Sequence, residues 1–543
     1  MTALAQSSYT SGDSDVPLLG DTIGANLEWT VAEHGSREAV VDVPSGRRWT
    51  HDELLTDVDA LAKGLMAKGV AAGDRVGIWS PNCPEWTLLQ YATARMGAIL
   101  VNVNPAYRAH ELTYVVKQSG MRMLVSAVSH KTSDYRSMVE EIRPDVPTLT
   151  DVVHIGQPSW DELVAAGVGV TDEDLRERGA GLTPDDPINI QYTSGTTGFP
   201  KGATLSHHNI LNNGYFVGGL LDYTHEDRIC LPVPFYHCFG MVMGNLAATS
   251  RGAYMVIPAP SFEPRATLEA VVQEKCTSLY GVPTMFIAEL DLPDFADFDL
   301  SSLRTGIMAG STCPVEVMKR VVAEMHMTEV AISYGMTETS PVSTMTRTDD
   351  DLARRTETVG RSMPHIETKI VDPVTGVPLP RGQAGELCTR GYSVMLGYWD
   401  QPDKTAEAID EARWTHTGDV ATMDEDGYVS IVGRIKDLVI RGGENIYPRE
   451  VEEFLYTHPA IADVQVIGVP DEKYGEELMA WVVLKPGVES LTAQEVREFA
   501  TGRLAHYKIP KYVHVTEAFP MTVTGKVRKI EMREQATRIL GQA

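Results

Sequence analysis

Short apolar runs that break off at a Gly, Pro or Ser turn and give way to a helical pattern recur along most of this chain, and that alternation leaves few folds open. INIQYT, YMVIP, TSLYGVP and EVAISYG all end this way, and before them HDELLTDVDALAKGLMAKGV reads as a helix between β-branched runs such as RVGIWS and AILVNVNP. The expectation is a layered α/β domain with ligand-binding turns at its strand ends. Near residue 385 the character changes, because ELCTRGYSVMLGYW and YVSIVGR are short runs with close turns and read as a small, mainly β subdomain. Beyond GRIKD at 433–437, helices at REVEEFLYTH and TAQEVREFATGRLA and strands near DVQVIGV and LMAWVVLK make a last small α+β unit.

A chain of 543 residues with 43% hydrophobic content has material for more than one core. Its formal net charge of -27 argues against binding to nucleic acid or to an anionic membrane surface. The six cysteines lie far apart without a CxxC pair, so they read as small buried residues rather than as zinc ligands or a disulfide framework. Residues 1–20, rich in Ser, Thr and Asp, read as disordered and carry no secretory signal. No stretch is apolar for long enough to span a bilayer. The expected location is cytoplasmic.

The densest chemical signal is YTSGTTGFPKGATLSHHNI, in which a β-like run opens into Thr193, Ser194, Gly195, Thr196, Thr197, Gly198 and Lys201 ahead of a helix near Ser206. Hydroxyls, unhindered backbone N–H groups and one ammonium suit a polyphosphate. The composition alone would also suit a flexible linker, but Pro200, Lys201 and the apolar strand before them weigh against that. The spacing is not that of GxxxxGK[ST], since Gly202 follows Lys201.

With MAGSTCP, ISYGMTETS, WTHTGD, GRIKD and PMTVTGKVRK following in order, the chain resembles the adenylate-forming superfamily of acyl-CoA synthetases, luciferases and peptide-synthetase adenylation domains, from about residue 25 to 535. The resemblance implies an N-terminal adenylation domain over 21–433, a hinge at 434–437 with Lys436 where many relatives have Asp, and a mobile C-terminal domain over 438–543. It implies ATP and coenzyme A as co-substrates and Mg²⁺ as cofactor. By the same resemblance Tyr334 and Gly335 lie at the adenine, Thr337 at the α-phosphate, and Glu338 on the Mg²⁺. Gly310, Ser311 and Thr312 match the loop flanking adenine and acyl carboxylate; Asp419 takes the ribose hydroxyls with help from Arg434; Lys526 is the adenylation lysine. Gly442 and Gly443 would let the pantetheine arm pass.

His237 in PFYHCFGM matches a family position beside the acyl pocket, where Phe235, Tyr236 and Gly240 would form an apolar wall. That run holds no Asp to pair with an amine, which favours an uncharged acid tail over an amino acid. RGYSVMLGYWDQPDKTAEAID resembles medium-chain to long-chain fatty acyl-CoA synthetases. An aryl or coumarate-type CoA ligase, a luciferase-like enzyme and a degenerate nucleotide-binding scaffold are the alternatives. The resemblance admits as partners a second copy in a homodimer and a lysine acetyltransferase and deacetylase acting on Lys526.

Overall fold

The run RVGIWS becomes the strand Arg75–Trp79 and AILVNVNP the strand Ile99–Asn102 in the computed structural model, which describes residues 6–193, 200–311, 313–442, 444–521 and 527–541. These two strands pair in parallel. Met123–Ser126 and Asp151–His154 extend the sheet on one side; Pro187–Thr193, Lys201–Ser206 and Gly397–Tyr398 extend it on the other, to seven strands. Every residue of Ile99–Asn102 is buried, as expected for a strand covered on both faces. The helix His51–Ala67 begins at a capping box between Thr50 and Glu53 and sends Leu54, Val58, Leu61 and Leu65 into the core that holds Val76, Ile78 and Leu100.

A second sheet has nine strands, and those from Glu38–Asp42 through Tyr254–Ile257, Arg228–Cys230, Ser278–Gly281 and Thr305–Met308 to Glu329–Gly335 run parallel. Antiparallel pairs close both edges. The turns after Thr305–Met308 and Glu329–Gly335 therefore open at the carboxyl ends of parallel strands, where α/β sheets place ligands.

The chain divides into two compact units, a larger one of Thr10–Thr368 with Thr389–His416 and a smaller one of Met1–Tyr9, Lys369–Cys388 and Thr417–Ala543. Within the smaller unit the strand Ile461–Asp471 pairs antiparallel with Gly475–Leu484, which Tyr512–Val515 joins in parallel. The helix Pro448–Tyr456 packs Val451 and Leu455 into their core with Val464 and Leu478. Residues 434–437 lie inside this unit; Ile435–Asp437 is a short 3₁₀ turn whose Asp437 accepts a 2.9 Å bond from Arg533.

One expectation needs correcting. Where residues 1–20 read as disordered, Tyr9–Ser11 is a strand at the edge of a five-stranded sheet, and Ser8 exchanges backbone hydrogen bonds with Leu379 and Ile370. Edge pairing is made by backbone groups, so it needs no apolar side-chain pattern. Among the described residues, no helix is long and apolar enough to cross a membrane.

Candidate active site

The segment expected to hold polyphosphate joins two strands that pair as a hairpin. Strands Pro187–Thr193 and Lys201–Ser206 pair antiparallel with Thr193 opposite Lys201, so the first hydroxyl and the ammonium stand side by side at the loop's base. Ser206 then caps the helix His207–Leu220, in a reciprocal box with Asn209. Ser194, Gly195, Thr196, Thr197 and Gly198 lie outside the described residues.

Glu338 comes to the same place from the other sheet. Tyr398 donates its phenol to Glu338 Oε1 at 2.7 Å, and Thr193 Oγ1 donates to that oxygen at 3.4 Å. Lys201 Nζ sits 4.2 Å from the centroid of the Tyr398 ring, a cation–π contact. Burial, then the charge of Glu338, pushes the Tyr398 phenol well above its ordinary range, so it remains a donor. The result is a carboxylate held in place by neutral hydroxyls, with an ammonium over the face of the aromatic ring that carries one of them.

The turn that presents Glu338 is tightly specified. Gly335 closes the strand Glu329–Gly335, and a Cβ there would lie 1.7 Å from the Pro341 carbonyl oxygen, so only glycine fits. Thr337–Thr339 forms a single 3₁₀ turn carrying Glu338. The Glu338 carbonyl accepts from the Met395 amide at 3.0 Å, which fixes the turn against the segment that supplies Tyr398. Tyr334 is half-buried at the end of the same strand. Gly310, with φ of 90°, and the exposed Ser311 follow Thr305–Met308, while Thr312 lies outside the described residues.

Phe235 is buried edge-on against Trp86, and its amide donates to Asn82 Oδ1 at 2.8 Å. The rings of Tyr236 and His237 lie 4.7 Å apart, tilted by 41°, both half-buried. A Cβ on Gly240 would meet the Pro234 carbonyl oxygen at 2.4 Å, so glycine lets the helical stretch from Cys238 pack against the preceding turn. Cys238 donates to Gln191 Oε1 at 3.2 Å, and burial pushes its thiol far up, so it is an inert wall rather than a nucleophile.

In the smaller unit Asp419 and Arg434 are register partners on the strands Thr415–Met423 and Val429–Arg434. Arg434 Nε donates to Asp419 Oδ1 at 2.8 Å. Lys436 is exposed on the 3₁₀ turn that follows. Gly442, at φ of 59°, donates its amide to the Tyr474 carbonyl at 2.8 Å, and Arg441 lies 4.0 Å over the Tyr474 ring. Gly443 and Lys526 lie outside the described residues, although Met521 and Val527, on either side of the Lys526 segment, form a β-bridge.

Models of known families resolve what this constellation belongs to: residues 27–399 match that of the AMP-binding enzyme, and residues 450–526 that of its C-terminal domain. The chain belongs to the AMP-binding enzyme family. Family relatives align along nearly its whole length. A Bacillus subtilis protein named as acyl-CoA synthetase YngI is 49% identical over 95% of this chain and 97% of its own. The mitochondrial medium-chain acyl-CoA ligase ACSF2 of Danio rerio is 45% identical over 98% of this chain and 91% of its own. Among solved family structures, the anthranilate CoA ligase AuaEII in complex with anthranoyl-AMP superposes with a TM-score of 0.86 at 26% identity, covering 97% of this chain and 99% of that one.

Sequence reasoning passed over Tyr398, because a tyrosine in LGYW reads as core. It also passed over the buried amides of INIQYT, although polar residues at every second place of an apolar run were the visible signal.

Proposed function

We propose that this protein is an AMP-forming acyl-CoA synthetase that converts a medium-chain to long-chain fatty acid, ATP and CoA into acyl-CoA, AMP and diphosphate through an acyl-adenylate. The observation that carries the reading is the cluster of Thr193, Lys201, Tyr398 and Glu338 at the base of the loop. Glu338, a buried carboxylate with hydroxyl donors, suits Mg²⁺, a hard cation that prefers oxygen ligands and, when bound, would neutralise charge on the phosphates. Lys201 holds the departing phosphates, and Asp419 with Arg434 the ribose. Lys526 carries the positive charge that brings the acyl carboxylate to the α-phosphorus, supplying orientation and charge stabilisation together.

The second half-reaction passes the acyl group to the CoA thiol, with Lys436 as the hinge residue and Gly442 and Gly443 making room for the pantetheine arm. Acetylation of Lys526 would remove its charge and stop adenylation. The location is cytoplasmic in this reading, and cell fractionation tests it.

The direct test of substrate class is AMP release with CoA across straight-chain acids from butyrate to stearate, with coumarate and anthranilate beside them. Acyl-CoA of matching mass from the fatty acids is the expected outcome. Turnover of the aromatic acids alone would make the protein an aryl-CoA ligase instead.

A further inference from the structure

The helix Ala109–Ser119 is fixed at both ends and along one face. Glu111 in its first turn accepts from the Arg108 amide at 2.8 Å, and the carbonyls of Ser119 and Gly120 at its far end accept from the Arg75 guanidinium at 2.8 and 3.0 Å. Leu112, Val115 and Val116 pack into a core with Ile99, Val101 and Ile190 of the seven-stranded sheet. Tyr114 and Gln118, four residues apart, are neighbours on the helix surface, and both are half-buried.

Three segments far apart in the chain meet these two side chains. The Tyr114 phenol donates to the Pro200 carbonyl at 2.9 Å. Gln118 is engaged at both ends of its amide: Oε1 accepts from the Tyr192 phenol, and Nε2 donates to the Trp399 carbonyl at 2.6 Å. Burial pushes the Tyr192 phenol up, so it remains a donor. Trp399 in turn donates its amide to the Gly202 carbonyl at 2.8 Å, and its ring lies 5.6 Å from the Arg75 guanidinium.

Packing alone would be served by an apolar residue at 118. A half-buried amide gives up water on folding and stabilises little unless its donor and its acceptor are both met. Here the residues that meet them adjoin Thr193 and Tyr398, the two hydroxyl donors to Glu338. Across the hairpin Tyr192 stands opposite Gly202 and Thr193 opposite Lys201. Gln118 thus ties the strand that enters the segment 194–199, and through Trp399 the strand that leaves it, to one anchored helix.

We propose that Gln118 is a positioning residue for the outer phosphates of ATP, holding Thr193, Lys201 and Tyr398 in register around Glu338 before the nucleotide arrives; the inference rests on the acid-activating reading above. It acts through Tyr192 and Trp399 rather than on the substrate. A cluster ordered beforehand does not have to be ordered on binding, so losing the brace weakens the grip on the phosphates that the cluster faces.

The test is calorimetric titration of ATP with Mg²⁺, and separately of AMP, against Gln118→Met, which keeps the side-chain length without the amide, and Tyr192→Phe, which loses one hydroxyl. Thermal melts show that each variant folds. ATP affinity should fall by about tenfold in Gln118→Met and by about threefold in Tyr192→Phe, while that of AMP, which lacks the outer phosphates, changes by less than about twofold. The double variant should bind ATP as Gln118→Met does, because the same bond is removed twice. Should Gln118→Met not fold, the ATP-to-AMP comparison in Tyr192→Phe decides alone. If the unaltered protein shows no exchange with any acid but the selective loss of ATP binding appears, the acid-activating reading falls and Gln118 keeps its role. Equal weakening of both nucleotides in the folded variants, or weakening of neither, overturns the proposal.

Discussion

Glu338 in the larger unit and Asp419 in the smaller are buried to a similar degree, 5% and 7% exposed, yet their environments differ. Among the described residues, Glu338 is held at its carboxylate by the hydroxyls of Tyr398 and Thr193, whereas Asp419 is bound by the guanidinium of Arg434, itself 61% exposed. A carboxylate anchored by neutral donors keeps its charge for a cation that arrives with the ligand. One already matched by a guanidinium is suited to accept hydrogen bonds from neutral hydroxyls. In the proposed reading the same residue class would serve metal and phosphate chemistry in one region and sugar recognition in the other. Removing charge should be severe at the first and milder at the second.

The largest effect lies with the lysine assigned to the reacting centre. Lys526→Ala should lower ATP–pyrophosphate exchange by about 10³-fold while thioester formation from synthetic acyl-adenylate continues; equal loss of both would remove Lys526 from that role. Next comes Glu338→Gln, which keeps the shape and deletes the charge. It should lower exchange by about 10²-fold or more with little change in melting temperature, and raising the Mg²⁺ concentration should not restore it.

Acid should separate the units as well. Burial lowers His51 and His207, both in the larger unit, from 6.5 to about 4. The unfolded chain binds those protons more readily, so stability is complete above pH 6.5 and falls as the pH drops toward 4, by up to about 3 kcal/mol for each. Hydrogen exchange at pH 5 should show the larger unit opening first. Protection lost first in the smaller unit would contradict this.

Asp419→Asn keeps acceptor capacity and should mainly raise KM for ATP, by about tenfold. The smallest change is Tyr398→Phe. It leaves the aromatic face under Lys201 and removes one donor to Glu338, for a loss of about fivefold. A loss as large as that of Glu338→Gln would mean that the hydroxyl acts on the ligand itself.

Much of this was legible in the sequence. The strands at INIQYT and EVAISYG could be read from local pattern, whereas Gly335, Glu338, Asp419 and Arg434 were legible only through the resemblance to the adenylate-forming family. Tyr398 could be read from neither, because its role comes from a strand pairing, Gly397–Tyr398 against Lys201–Ser206, between segments far apart in the chain. The strand Tyr9–Ser11 was hidden for the same reason. The division into units was also illegible, since it joins Lys369–Cys388 to Thr417–Ala543 through contacts that no linear scan contains.

The central claim, activation of a carboxylic acid as its adenylate, is tested most directly by ATP–pyrophosphate exchange in the absence of CoA. Exchange that depends on added fatty acid and on Mg²⁺, and that disappears in Glu338→Gln, is the predicted result. Absence of acid-dependent exchange with every acid from butyrate to stearate would contradict it.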